Sequence, residues 1–310
     1  MPFGMKKITN GIANLNQTET NMGTTFDVLR EGDDIQQHRD DVHEFSQGWW
    51  VNKDDDIPGV KETIRYSNKR ALKFKEPYVT PWFSTDDEDQ YKKNMEEKAE
   101  VMADFGWADP DNQIIYNFNS NGFRDEELTD YDDSWLAVGE CFTFGTGLHD
   151  EFIWPRLVEK HFGTKIWNLA HCTTGFDYTF RVILALLDEL KPSKVLVLEP
   201  VPITREVYEN GKPEWPGDWS SEYWMKNIAG DKVERYVSRV KNYFALQHFL
   251  ESRGVELVFI SSDERHNIAM QSWEEKSSGF GAAARDLMHP GNRFHELLFE
   301  EWKKKLGDIN

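Results

Sequence analysis

The sequence predicts an α/β fold, a three-layer open parallel sheet flanked by helices over residues 111–310. An irregular N-terminal extension carrying one helix precedes it over residues 1–110. Two observations carry this. From Trp135 onward, short and near-continuously apolar runs recur at 135–139, 165–169, 194–198 and 255–260. Each is too short for a core helix and apolar enough for a strand covered on both faces. Between them lie segments whose apolar residues repeat at helical spacing, the alternation that builds parallel sheets through crossover helices.

The elements follow in order. Residues 1–30 are polar, rich in Asn and Thr and aperiodic, which predicts a loose arm or a partner-binding extension. Asp33 to Asp56 is acidic, and its Trp49-Trp50 pair reads as buried packing of that arm. Residues 57–80 read as irregular or short extended structure. Thr85-Asp-Asp-Glu88 has the spacing of a capping box, and the helix it opens runs through Tyr91, Met95, Ala99 and Met102 to near Gly106. Ile114 to Phe118 is a strand candidate, followed by an Asn-Gly turn at 121–122 and by Arg124, whose acidic neighbours suggest a structural role. After the strand at 135–139, helices are expected at 150–162 and 177–190. Residues 200–219, with four prolines and two tryptophans, form a long loop that reads as a lid or rim. A helical region at 220–252 breaks at Gly230, residues 262–284 connect, and an amphipathic helix closes the chain at 292–306.

Composition narrows the function. Lys and Arg number 36 against 55 Asp and Glu, so the net charge is 36 − 55 = −19. That charge argues against nucleic acid or an anionic membrane as the main partner. No run is apolar enough to span a bilayer, and Met1-Pro-Phe-Gly-Met-Lys-Lys7 lacks the apolar core of a signal peptide. Two cysteines exclude a disulfide scaffold and suit a reducing compartment, so a cytoplasmic location is expected.

Three constellations fall at predicted strand ends and loops, where such folds keep their sites. The first is Glu140-Cys141, framed by Gly139, Gly145 and Gly147, the way α/β enzymes present a nucleophile above a sheet. A small buried filler is the alternative reading of Cys141. The second is Asn168-Leu-Ala-His171-Cys172-Thr173-Thr-Gly175, and the third is Asp286-x-x-His289-Pro290. A nucleophile needs a base and the base an orienting group; Cys141, His289 and Asp286 supply one of each. Alone, the Asp-x-x-His-Pro turn also reads as a helix cap.

The order Gly-Glu-Cys141-Phe-Thr-Phe-Gly, Asn168-Leu-Ala-x-x-Thr173, Asp286-x-x-His289-Pro resembles the SGNH (GDSL-type) hydrolase superfamily. Asn119-Ser-Asn-Gly-Phe-Arg124 is similar to a lead-in found in many of its members. The resemblance covers roughly residues 114–306 and looks closest to GDSL-like proteins encoded by tailed bacteriophages. It implies a flavodoxin-like sheet, Cys141 in place of the nucleophilic serine, Asp286 as orienting acid and His289 as general base. It also implies an oxyanion hole from the backbone amides of Cys141 and Thr173. The chain departs from the pattern in four places: cysteine for serine, Glu140 for aspartate, Thr173 for the second block's glycine, and Glu199-Pro-Val-Pro where the family's Gly-x-Asn-Asp block should follow the third strand. No asparagine is therefore in line to be the third oxyanion donor.

Glu140, Asn168, His171 and Arg205 remain substrate-binding candidates, with Glu140 read as loop support and Arg205 as an ion pair with Glu206. Cys172 is a redox partner candidate for Cys141, and the two cysteines with His171 and His289 form a weaker zinc alternative. A neighbouring His289 should lower the thiol pKa of Cys141. Neither metal nor cofactor is expected. The leading expectation is an esterase, acyl hydrolase or acyltransferase acting on a small acyl ester such as an acetylated carbohydrate. The alternatives are a catalytically impaired binding or phage structural protein, with a homo-oligomer or a virion partner and a host-cytoplasm or virion location, and a redox-regulated enzyme.

Overall fold

The computed structural model describes residues 77–201, 204–209, 212–214, 232–274 and 283–307. The chain divides into two units, Met1–Ile57 and Pro58–Asn310, and the described residues belong to the second. The polar arm, the Trp49-Trp50 pair and residues 57–76 lie outside them.

Four parallel strands form the central sheet: β3 (Trp135–Val138), β4 (Ile166–Asn168), β5 (Lys194–Leu198) and β8 (Glu256–Ile260), in the order β4-β3-β5-β8. The fold is mixed α/β with helices on both faces of this sheet, as the alternation predicts. Side chains along each strand alternate between faces, which is why both must be apolar. Leu136, Val138, Val195, Val197 and Trp167 point to one face. There they meet Val182, Ile183, Leu186 and Leu190 of α5 (Phe176–Leu190) and Leu246 and Leu250 of α6 (Lys232–Ser252). Trp135, Ala137, Ile166, Leu196, Leu198, Val258 and Ile260 point to the other face. Its cover is α4 (Trp154–Phe162) and α8 (Asn292–Leu306), with Trp154 stacked on Trp302 at 4.8 Å. Each fully buried side chain of this kind contributes about 1.5–3 kcal/mol. An exposed pair such as Glu88–Lys92 is screened by water and adds little, so the two apolar layers dominate.

Strand β3 is followed by β4 on one side, and the chain then crosses to β5 on the other. The order reverses between β3 and β5, the point outside whose carboxyl ends open α/β sheets keep their sites. Cys141 lies just beyond β3.

The segment before the sheet differs in detail from the prediction. A two-stranded antiparallel pair joins β1 (Tyr78–Thr80) to β2 (Tyr116–Phe118), shorter than the 114–118 strand expected. The expected single helix is two, α1 (Glu88–Glu97) and α2 (Ala99–Asp104), broken at Lys98. Its cap is Asp87, whose carboxylate accepts the Gln90 amide at 2.7 Å, and not Thr85. Helix α4 is preceded by a separate 3-10 turn at Asp150–Phe152, with Pro155 in its first turn.

The loop expected at 200–219 contains a hairpin, β6 (Val207–Glu209) with β7 (Lys212–Glu214), in its described part. The break at Gly230 lies outside the described residues. Much of the connection expected at 262–284 is a helix, α7 (Ser262–Glu274). Its signal was a reciprocal capping box: Ser261 Oγ accepts the Glu264 amide at 3.2 Å, and Glu264 accepts the Ser261 amide at 2.7 Å. Among the described residues, no helix is long and apolar enough to cross a membrane.

Candidate active site

The Cys141 loop follows from three glycines and one short helix. Gly139 has φ +155°, and a Cβ there would lie 2.8 Å from the Leu198 carbonyl oxygen and 2.4 Å from the Thr143 hydroxyl. Only glycine lets the chain leave β3 this close to β5. Glu140 caps α3 (Cys141–Phe144), which ends at Gly145 in the left-handed region. Cys141 is thus the first helical residue, and amides at that position have no intrahelical acceptor.

The His289 loop is built by Asp286. Its Oδ1 accepts the backbone N–H of Met288 at 3.0 Å and of His289 at 3.1 Å, closing a turn in which Leu287 has φ +54°. Its Oδ2 accepts His289 Nδ1 at 2.6 Å, because an ionised carboxylate only accepts. With Nδ1 so engaged, Nε2 is the imidazole nitrogen left for Cys141, whose thiol is the hydrogen-bond partner of His289. Phe142 presents its ring to the imidazole edge at 5.8 Å.

Gly147 brings the two loops together. Its carbonyl accepts the Arg285 N–H at 2.9 Å, and a Cβ on it would sit 2.8 Å from Ala284 Cβ at φ +74°. Cys141, His289 and Asp286, which the sequence scatters over 149 positions (289 − 141 + 1), therefore meet.

Their electrostatics are coupled. Burial pushes the Cys141 thiol above its ordinary value; His289 opposes this and Glu140 reinforces it. The lowering expected from His289 is present, but desolvation outweighs it. Burial disfavours the His289 imidazolium, yet Cys141 and the Asp286 hydrogen bond hold its pKa well above the usual histidine range. Burial likewise works against the Asp286 carboxylate, and the His289 and Thr85 hydrogen bonds bring it below its ordinary value all the same.

The other sequence candidates are used by the fold. Glu140 is buried, accepting Arg265 Nη1 at 2.5 Å and the Val201 amide at 3.1 Å. Burial raises its pKa against the pull of Arg265. Arg265 also donates to the Glu199 carbonyl at 3.0 Å, while the Glu199 carboxylate accepts Arg239 Nε at 2.5 Å and the Ser262 amide at 2.6 Å. The segment that follows β5 thus opens with an acid committed to an ionic cluster.

Asn168 is fully buried, donating to the Thr143 carbonyl at 3.2 Å and accepting the Ala170 amide. His171 is buried against the Cys172 carbonyl, and burial lowers its pKa to about 4, so it is neutral. Thr173 has φ +61°, and its hydroxyl donates to the Cys172 carbonyl at 2.6 Å, so the side chain is occupied while the backbone turns.

Arg205 does not pair with Glu206 as expected. Glu206 is held bidentately by Arg181 at 2.6 and 2.7 Å, and Arg205 Nη2 donates to the Glu234 carbonyl at 3.3 Å. Cys141 and Cys172 are both free thiols. Cys172 pairs with the Thr146 hydroxyl at 3.1 Å, and burial pushes its pKa up to about 12. The zinc alternative is not assembled: among the described residues, no group of three or more His, Cys, Asp or Glu is placed to hold a metal ion.

Two residues at the site escaped the sequence reading. Thr85, read as a helix cap, donates its hydroxyl to Asp286 Oδ2 at 2.7 Å. Asp86 forms a buried bidentate pair with Arg285 at 2.8 and 2.9 Å and accepts Tyr116 Oη at 2.6 Å, while Tyr116 Oη accepts the Gly147 amide at 2.8 Å. No signal at 85 or 86 separates these roles from capping, since both lie about 200 residues from their partners.

No family model matches the sequence, and no curated protein matches it. Solved structures with a similar chain path include TesA, at TM-score 0.39 and 15% identity over 57% of this chain and 99% of that one. Another is the psychrotrophic esterase EstA from Pseudoalteromonas sp., at 0.37 and 13% over 56% and 97%. A third is the acetyl xylan esterase Est2A from the rumen bacterium Butyrivibrio proteoclasticus, at 0.37 and 10% over 64% and 68%. Likeness this distant leaves the activity to the chemistry of the site.

Proposed function

We propose that this chain is an SGNH-type acyl hydrolase or acyltransferase that works through Cys141. One observation carries the reading: the relay of Asp286, His289 and Cys141, bonded in that order at the carboxyl end of β3. Cys141 Sγ attacks the ester carbonyl as His289 Nε2 takes the thiol proton. The oxyanion develops against the amides of Cys141 and Thr173. Collapse gives a thioester, and His289 returns the proton to the departing alcohol. Water or a second hydroxyl then attacks the thioester, with His289 again as base. A small acyl group on a carbohydrate or other hydroxyl carrier fits this chemistry.

The test is p-nitrophenyl acetate turnover together with thiol-probe labelling. Cys141→Ala should abolish both, and His289→Ala should cost turnover about 10²–10⁴-fold with the far-UV spectrum unchanged. Turnover that survives Cys141→Ala would sink the reading.

The ionic tether on Glu199 and the burial-raised Cys141 thiol favour a second reading: a hydrolase fold retired to binding, in an assembly or a virion. A wild-type Cys141 that labels no faster than a free thiol, indifferently to His289, would select it.

A further inference from the structure

The loop that carries Asp286 and His289 is fastened from outside the parallel sheet. Asn94 Nδ2 donates to the Asp286 carbonyl at 3.0 Å, and Trp107 Nε1 to the Ala283 carbonyl at 3.0 Å. Arg285 is gripped by Asp86 and by the Pro81 carbonyl. All of these partners lie between residues 81 and 107. The anchor nearest the chemistry is Thr85, on the carboxylate itself.

We propose that Thr85 is a positioning residue, its hydroxyl fixing the Asp286–His289 pair for Cys141, and that residues 81–107 thereby help to hold that pair in place. The inference rests on the acyl-transfer reading of that site.

An ionised carboxylate offers about four acceptor sites, and Asp286 fills four. Two are taken by the amides of its own turn and one by His289. These three donors belong to the same short loop and can swing with it. Thr85 is the donor that arrives from another element, at 2.7 Å from Oδ2 and 3.5 Å from His289 Nδ1.

Thr85 is also presented by a rigid tip. Phe83 and Asp86 exchange both backbone hydrogen bonds, at 2.9 and 3.1 Å, leaving Ser84 and Thr85 as a two-residue turn. Ser84 is held at φ +59°, a conformation a non-glycine residue keeps only where its surroundings dictate it. The flanks are clamped: Phe83 packs on Phe118 at 4.9 Å and on Phe144 of the nucleophile helix at 5.0 Å, and Asp86 holds Arg285. The tip thus refers the base loop and the nucleophile helix to one frame. Helix capping does not explain Thr85, because Asp87 does that work.

The test uses the full chain and a crossed pair of variants. Thr85→Val keeps the shape and loses the hydroxyl; Thr85→Ser keeps the hydroxyl and loses the methyl. Two readouts are taken: kcat and KM for p-nitrophenyl acetate, and the low-field proton resonance of His289 Nδ1. We expect Thr85→Val to lower kcat about tenfold with KM within about twofold, as loss of one bond to a charged group would. Its Nδ1 resonance should broaden into exchange. Thr85→Ser should match wild type in both readouts.

Thr85→Val with wild-type kcat and a sharp resonance overturns the proposal, and so does Thr85→Ser as impaired as Thr85→Val, the result a packing role gives. Should Thr85→Val not fold by far-UV circular dichroism, Thr85→Ala takes its place with the same expected losses. A wild type that turns nothing over refutes the proposed activity, and the resonance alone then decides the role of Thr85.

Discussion

Asp86 and Arg285 are 1% and 0% exposed and joined by two hydrogen bonds at 2.8 and 2.9 Å, with the guanidinium also 4.1 Å from the Trp82 ring centre. Replacing one partner leaves the other charge buried without compensation, which costs about 3–5 kcal/mol; replacing both by apolar residues of similar volume is often near neutral. Asp86→Asn removes the charge and one of the two acceptor oxygens that Arg285 and Tyr116 use, so its cost should be at least about 3 kcal/mol. For a domain of this size each kcal/mol moves Tm by roughly 2–4 °C, so the shift should be about 6–12 °C downward. Arg285→Met should lose a similar amount. Asp86→Leu combined with Arg285→Met should lose less than the sum of the single changes by at least about 1 kcal/mol, since contacting residues couple by about 0.5–3 kcal/mol. Urea unfolding followed by both circular dichroism and tryptophan fluorescence measures this and tests for a single transition. An Asp86→Asn variant within about 0.5 kcal/mol of wild type, the range of ordinary surface changes, would refute the reasoning.

Two further outcomes follow from the site. Burial disfavours the Cys141 thiolate and His289 favours it, so the rate of iodoacetamide alkylation should rise with pH through a midpoint above the ordinary thiol value of about 8.5, and His289→Ala should move that midpoint higher still; a midpoint at or below the ordinary value, or one indifferent to His289, contradicts this. Gly147→Ala must place a Cβ 2.8 Å from Ala284 Cβ at φ +74°, a backbone penalty of about 1–2 kcal/mol before any clash, and by parting the Cys141 and His289 loops it should lower kcat more than tenfold while the helical spectrum persists; wild-type kcat in that variant would show that the loops tolerate the separation.

Much of the sheet was legible because parallel strands announce themselves. The run Lys194–Leu198 reads as a strand from its apolar side chains alone, since both faces are covered. Helix α7 was not legible from periodicity: it carries Asp263, Glu264, Arg265 and His266 in its opening turns and buries little. Its capping box was the better signal. The site was legible as residue types at strand ends. Nothing near Glu140 in the sequence points to Arg265, which lies 125 positions away, so loop support could be read for Glu140 but not the partner that provides it. The lowering of the Cys141 pKa by His289 was legible, but not the larger rise that burial imposes. A histidine partner can be read from a motif, but desolvation depends on how many apolar groups surround the sulfur.

The sequence by itself determined the α/β class, the parallel sheet and the three residue types that can perform acyl transfer, because these depend on local periodicity and side-chain chemistry. The tertiary structure alone decided which partners each polar side chain meets. Thr85 binds Asp286 across 201 positions, Asp86 binds Arg285 across 199, and Glu206 takes Arg181 over its neighbour. Such pairings are long-range. They are selected by the backbone paths that the apolar layers impose, and no spacing in the chain encodes them.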